Sequence, residues 1–155
     1  MRYLKPVLTL MCVNAVVMAG ATPVPKAWKQ IYAKVSKTIV NNDVPGYMTW
    51  MDKRFINIQD GKKTGYTAYQ KLFTDFLGKF TNVKAEAVPL TFKRKGEDVV
   101  INFHYTFSGD YAQGGKTKTL RFFEEGEDTW RRVDGRYLEF VEVVKKQGVL
   151  PAKAV

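Results

Sequence analysis

Few side chains in this sequence do chemistry readily, and their scarcity narrows the choices. His104 is the only histidine among 155 residues, and Cys12 is the only cysteine. One imidazole and one thiol do not make a zinc-type ligand set, and no acids stand at ligand spacing. The sequence therefore points to no metal and no cofactor. His104 lies in a run where Val99, Ile101, Phe103, Tyr105 and Phe107 alternate with polar or smaller residues. That two-residue period marks a strand with one apolar face, and the parity puts His104 on the other face. Asp52, in "WMDKRF", has two readings. Enclosed among aromatics, its carboxyl would lose hydration and gain proton affinity. Paired with Lys53 or Arg54, it is an ordinary surface acid.

The aromatic residues offer a different kind of site. Three Trp, eight Tyr and ten Phe are many for this length. Tyr47, Trp50, Tyr66, Tyr69, Phe73 and Tyr105 could line a cavity for a small apolar or ring-shaped molecule, with phenols orienting it. At helical spacing the same residues also read as plain core. Trp130 is expected to pack and not to bind. A glycine bulge at Gly126 would reverse the alternation of its strand and put Phe123 on the same face as Trp130.

These residues need elements to hold them. Trp28, Ile31, Tyr32, Val35 and Ile39 fall on one helical face. Asn41-Asn42-Asp43 ends that helix, and Asp43 can cap a short second one with Pro45 in its first turn. "KRFINIQDGKKT" reads as a strand reaching the Asp60-Gly61 turn. A third helix after Gly65 carries Tyr66, Tyr69, Phe73, Phe76, Leu77 and Phe80, and stops near Thr81-Asn82. Four long strands follow, turning at Gly96, at Gly114-Gly115 and at Asp134-Gly135, whose residues accept positive φ. Pro89 marks a bulge or bend in the first of them. Helices gathered early and antiparallel strands late predict a single α+β domain. The hairpin "DTWRRVDGRYLEFVEV" reads as the closing scaffold of that sheet, not as an active face.

Residues 1–21 read as a signal peptide. Arg2 and Lys5 precede an apolar run from Val7 to Ala19, which ends in Ala19-Gly20-Ala21, a small-x-small cleavage pattern. That run is 13 residues, short of the roughly 20 that span a bilayer. Met11 before Cys12 argues against a lipid anchor. Cleavage near Ala21 would remove the only cysteine and deliver a disulfide-free chain to the periplasm or exterior. Residues 22–26 then form a linker, 27–145 the domain, and 146–155 a flexible tail without periodicity.

The terminal hairpin resembles that of nuclear transport factor 2-like proteins, specifically the SnoaL-like group. There a Trp on the penultimate strand, a basic pair, an Asp-Gly corner and an aromatic on the last strand recur together. "MDKRFINIQDGKKTGYTAYQKLF" is similar to the same group's first strand, turn and following helix. The resemblance implies a cone, also called cystatin-like, in which a curved antiparallel sheet wraps over three N-terminal helices around a pocket. It implies an exported SnoaL-like domain binding a small apolar ligand. Asp52 aligns with the acid that opens the first strand, which in the ketosteroid-isomerase-like branch serves as a proton-shuttling base, so isomerase, dehydratase or cyclase chemistry is one expectation. A sole histidine does not supply the two-histidine arrangement of scytalone-dehydratase-like members, and the acid-arginine-acid set of the epoxide hydrolases is not evident. Many members of the group are non-catalytic, and a homodimer through the sheet face is common among them.

Charge adds an alternative. The formal net charge is +10, with pairs or triplets at Lys62-Lys63, Lys93-Arg94-Lys95, Arg131-Arg132 and Lys145-Lys146. Such a surface could hold an anionic lipid or polysaccharide. Nucleic acid is not expected for an exported protein without aromatic and basic residues interleaved on one exposed face.

Overall fold

The computed structural model describes residues 22–151. The signal-peptide expectation and Cys12 lie outside the described residues. Three helices and six strands follow in the order α1 (Lys26–Val40), α2 (Val44–Met48), β1 (Met51–Gln59), β2 (Lys62–Gly65), α3 (Tyr66–Leu77), β3 (Thr81–Lys95), β4 (Asp98–Gln113), β5 (Lys116–Val133) and β6 (Arg136–Val149). All strands join one sheet in the order β2-β1-β6-β5-β4-β3. The pairing is antiparallel except between β1 and β6, which run parallel. The sheet is therefore mixed, where the sequence suggested a purely antiparallel one. No helix among the described residues is long and apolar enough to cross a membrane.

Local chemistry explains the boundaries. The Asp43 carboxylate accepts from the Gly46 amide at 2.9 Å and caps α2, with Pro45 in the first turn. The hairpin corners fall at Asp60-Gly61 and Asp134-Gly135, all four residues at positive φ, the backbone that a two-residue hairpin loop demands. Near Pro89 the β3–β4 register slips by one residue, as a missing N–H donor requires. Helix α3 ends at Leu77, four residues before Thr81, because Gly78 and Lys79 already turn the chain into β3. β6 runs to Val149, past residue 145. Leu150 donates its amide to the Arg121 carbonyl at 2.9 Å, so the end of the strand is held to β5.

The inner face of the sheet meets the helices through two apolar clusters. One gathers Ile39, Tyr47, Met48, Phe55, Leu77 and Phe107 beneath α2 and α3. The other gathers Trp28 and Tyr32 of α1 with Val99, Ile101, Phe103 and Trp130 of the sheet. Trp28 meets Trp130 edge-on, ring centroids 5.6 Å apart, and each large side chain buried here contributes about 1.5–3 kcal/mol. Ser36 fastens α1 to the edge strand: its hydroxyl accepts from the Ala87 amide at 2.9 Å and donates to the Tyr32 carbonyl. The clusters do not fill the space between helices and sheet.

Candidate functional site

A cavity of about 780 Å³ lies between the inner sheet face and the three helices. Its walls are largely aromatic. Tyr47 of α2 and Tyr69 of α3 bring their phenol oxygens to 3.3 Å, and Phe73 lies 4.4 Å from Tyr47, centroid to centroid. Tyr105 comes from β4, Phe122 and Trp130 from β5. Burial holds the phenols of Tyr32, Tyr47, Tyr69 and Tyr105 well above the ordinary tyrosine range, so each is a neutral O–H donor.

Five acidic residues line this cavity: Asp60 at its exposed rim, and, on the inner sheet face, Glu124 and Asp128 of β5 with Glu139 and Glu142 of β6. Strand geometry puts the inner four there. On β5 the side chains alternate without interruption, so Phe122, Glu124, Gly126, Asp128 and Trp130 all point inward, opposite the inner residues Phe107 to Val99 of β4. Gly126 does not bulge. It has no Cβ because the Phe103 ring and the Val143 carbonyl occupy that place, 2.6 Å and 2.5 Å from where a Cβ would stand. Phe123 consequently faces outward and stacks on His104, opposite to Trp130. The bulges belong to β6 instead. Trp130 pairs with Glu139 but Thr129 with Val141, leaving Phe140 extra, and a second slip leaves Lys145 extra. The first bulge brings Glu139 and Glu142, three apart in sequence, onto one face.

The acids converge. One oxygen from each of Asp128, Glu139 and Glu142 lies within 4.8 Å of the others. Asp128 is 5% exposed; its Oδ2 accepts from the Tyr32 phenol, which in turn accepts from the Trp130 indole at 3.4 Å. Its Oδ1 is buried and has no hydrogen-bond partner. Glu142 accepts from Asn57 of β1 at 2.9 Å. Burial raises the proton affinity of Asp128 and Glu139, and the neighbouring acids raise it further. Burial likewise lifts Glu142, and it pushes Glu124 up to about 8. Glu139 tends to keep its proton and share it with Asp128, which lowers Asp128 relative to its neighbour.

Of the aromatic residues singled out in the sequence, Tyr47, Tyr69, Phe73 and Tyr105 line the cavity. Trp50 and Tyr66 do not: Trp50 lies under Arg136, and the Tyr66 phenol accepts from Lys53 at 2.9 Å. Asp52 is also outside the lining. Arg54 binds its carboxylate through Nε at 2.8 Å and holds it below the usual carboxylate range, so Asp52 stays ionised. That is the ion-pair reading of the residue, and it lacks the raised proton affinity of a buried base. The terminal hairpin, read as scaffold, instead supplies Asp128, Trp130, Glu139 and Glu142 to the cavity. The acid cluster, invisible as a spacing in the chain, is assembled by pairing β5 with β6. Parity alone would have located half of it, since Glu124 and Asp128 share their parity with Phe122 and Trp130.

Solved structures share this fold. A conserved protein from Planctomyces limnophilus superposes with a TM-score of 0.69 at 10% identity, covering 80% of this chain and 95% of its own. A candidate scytalone dehydratase from Novosphingobium aromaticivorans gives 0.61 at 14% identity, over 83% and 88%. A nuclear transport factor 2-like protein of unknown function from Shewanella oneidensis gives 0.52 at 12% identity, over 74% and 93%. The fold is nuclear transport factor 2-like. No family model matches the sequence, and no curated protein matches it. The nuclear transport factor 2-like cone hosts many chemistries, so function has to be argued from the cavity itself.

Proposed function

We propose that this chain is an exported enzyme that moves a proton on a small, largely apolar molecule held in the cone, with Asp128 as the base. The carrying observation is a carboxyl at the cavity wall that is gathered with two other buried acids and bound by the Tyr32 phenol. A general base needs proton affinity near the working pH and a lone pair facing its substrate. Burial raises the affinity of Asp128; the Tyr32 phenol and the proton on Glu139 bring it part of the way back. The neutral phenols of Tyr47 and Tyr69, which bond one another and reach Glu142, would turn an O–H to an oxygen that gains charge as the proton leaves carbon, the role of an oxyanion hole. Isomerisation, dehydration and cyclisation all pass through such an intermediate. A binding module would need only the aromatic walls, and buried acids would penalise it. Export is supported by the sequence of residues 1–21 alone.

Proton transfer can be tested before the substrate is known. Cyclic ketones, neutral and amine-bearing, are incubated with the protein in deuterium oxide, and loss of the hydrogens beside the carbonyl is followed by NMR. Enzyme-dependent exchange should fall by a factor of about 100 or more in Asp128→Asn and persist in Asp52→Asn. Exchange that survives Asp128→Asn overturns the assignment, and so does its absence for every ketone. N-terminal sequencing of protein recovered outside the cytoplasm tests export, with a start near Thr22 expected.

A further inference from the structure

The four inward acids have no positive partner in the protein. Among the described residues, every ion pair lies elsewhere and engages Asp52, Asp75, Asp98, Glu125 or Glu127. The donors that reach the inward acids, Tyr32, Asn57, Tyr69 and the protonated Glu139, are neutral. The cation in the cavity lining is Lys62, an exposed residue of β2. Buried carboxyls in proteins are ordinarily paired or kept protonated. Here the cavity supplies the low-dielectric surroundings and the negative groups but omits the counter-charge.

We propose that the counter-charge arrives with the ligand: the cavity takes an organic ammonium, a positively charged nitrogen on an apolar or ring-shaped body, seated against Asp128 and Glu139. This rests on the proton-transfer reading for which site is used, and extends it to the class of molecule. Two further observations carry it besides the acids. Asp128 Oδ1 is enclosed and accepts from no N–H, phenol or alcohol among the described residues, so the carboxyl's lost hydration stays under-compensated until a charged donor comes beside it. An ammonium N–H supplies it with charge assistance. The walls add ring faces, Tyr69 stacked parallel on Phe73 at 6.0 Å and Trp130 beside the acids, and aromatic faces attract cations. The space fits a molecule and not merely an ion, since about 780 Å³ is the size of site that holds drug-sized ligands. A bare metal ion would leave most of that volume empty and would compete with Tyr32 and Asn57 for the same carboxyl oxygens.

Charge and protonation are linked. The titratable groups around the ammonium seat are Tyr32 from α1, Tyr47 from α2, Tyr69 from α3, Tyr105 from β4, Glu124 and Asp128 from β5, and Glu139 and Glu142 from β6, with Asp60 and Lys62 at the exposed rim. The phenols stay neutral, so an entering cation ionises one of the acids and binding releases a proton.

The intact protein is titrated calorimetrically at neutral pH with 2-phenylethylammonium and with its uncharged counterpart 2-phenylethanol, in two buffers of different ionisation enthalpy. The ammonium should bind about tenfold tighter or more, with a heat that depends on the buffer. Glu139→Gln and Asp128→Asn should each erase the preference for the ammonium over the alcohol. Circular dichroism confirms that each variant folds, and either variant alone suffices. Equal affinity for the two probes, tighter binding of the alcohol, or binding of neither overturns the proposal. So does tight binding of Mn²⁺ without an ammonium preference, which would reassign the acids to a metal. None of these results bears on deuterium exchange from neutral ketones, so the two readings fail separately.

Discussion

The two faces of the sheet around the β5–β6 hairpin both carry acids but treat them oppositely. On the outer face the acids have bases. Asp98 of the adjoining strand holds Arg131 at 2.7 Å, Glu127 holds Lys145 at 2.9 Å, and Glu125 stands between His104 and Lys146. Phe140, the extra residue of the bulge, lies under the guanidinium groups of Arg54 and Arg131. On the inner face Glu124, Asp128, Glu139 and Glu142 meet only phenols, an amide and one another. Outer pairs of this kind contribute about 0–1 kcal/mol each and serve mainly solubility. The inner acids reduce stability when ionised, and a fold keeps such groups where they perform work. Among the described residues Lys62 is the one basic side chain in the cavity lining, so the basic excess of the sequence says little about what the cavity accepts.

The comparison can be broken at neighbouring positions of one strand. Trp130→Ala removes an inward side chain that is 1% exposed and packs on Trp28 and Tyr32. It should cost about 3–5 kcal/mol in chemical denaturation. Arg131→Ala, one residue on and outward, should cost about 1 kcal/mol or less. Comparable losses at both positions would mean that the two faces are not energetically distinct.

Next in size is the response to pH. An acid whose proton affinity is raised on folding stabilises the protein at low pH, and that stability is lost as pH rises through the folded value. For Glu124 the window runs from an ordinary 4.5 to about 8, each tenfold gain in proton affinity being worth about 1.4 kcal/mol. The melting temperature should therefore fall between about pH 5 and 8, and Glu124→Gln or Glu139→Gln should flatten the decline. The outer acids have the opposite sign. Arg54 and Arg131 hold Asp52 and Asp98 below the usual range, so their contribution is present above that range and disappears as pH falls through the folded value. A melting temperature that climbs steadily over the same interval would contradict the inner assignment.

The smallest effect is expected for Glu127→Ala, which parts Lys145 from its carboxylate at an exposed site. It should cost about 0.2–1 kcal/mol, shrinking further in high salt. A larger, salt-resistant loss would show that the outer pairs do more than keep charges solvated.

Much of the scaffold was legible in the sequence, because its rules are local. Asp43 caps α2, the Asp-Gly corners turn the hairpins, and the alternation from Val99 to Phe107 places His104 outside, beside Glu125. The acids were legible only in part. Glu124 and Asp128 were not singled out as candidates, and placing a bulge at Gly126 reversed the assignment of the residues around it. Glu139 and Glu142 could not be read together at all, since three residues of separation puts them on opposite faces of any regular strand. Only the pairing with β5 reveals the additional residue. Asp52 drew attention because it opens a strand near aromatics, but whether such an acid turns inward depends on Arg54 two residues later, which captures it.

Phe140 has a consequence for how this strand could change over time. Its presence advances the phase of the chain by half a period, so positions beyond it obey a different ruler from positions before it. Loss of either residue between the two glutamates, Phe140 or Val141, would restore strict alternation and leave both indoors, whereas loss of the pair would make the glutamates adjacent and turn one out to the solvent. Between them the last strand can therefore shorten by one residue and no more.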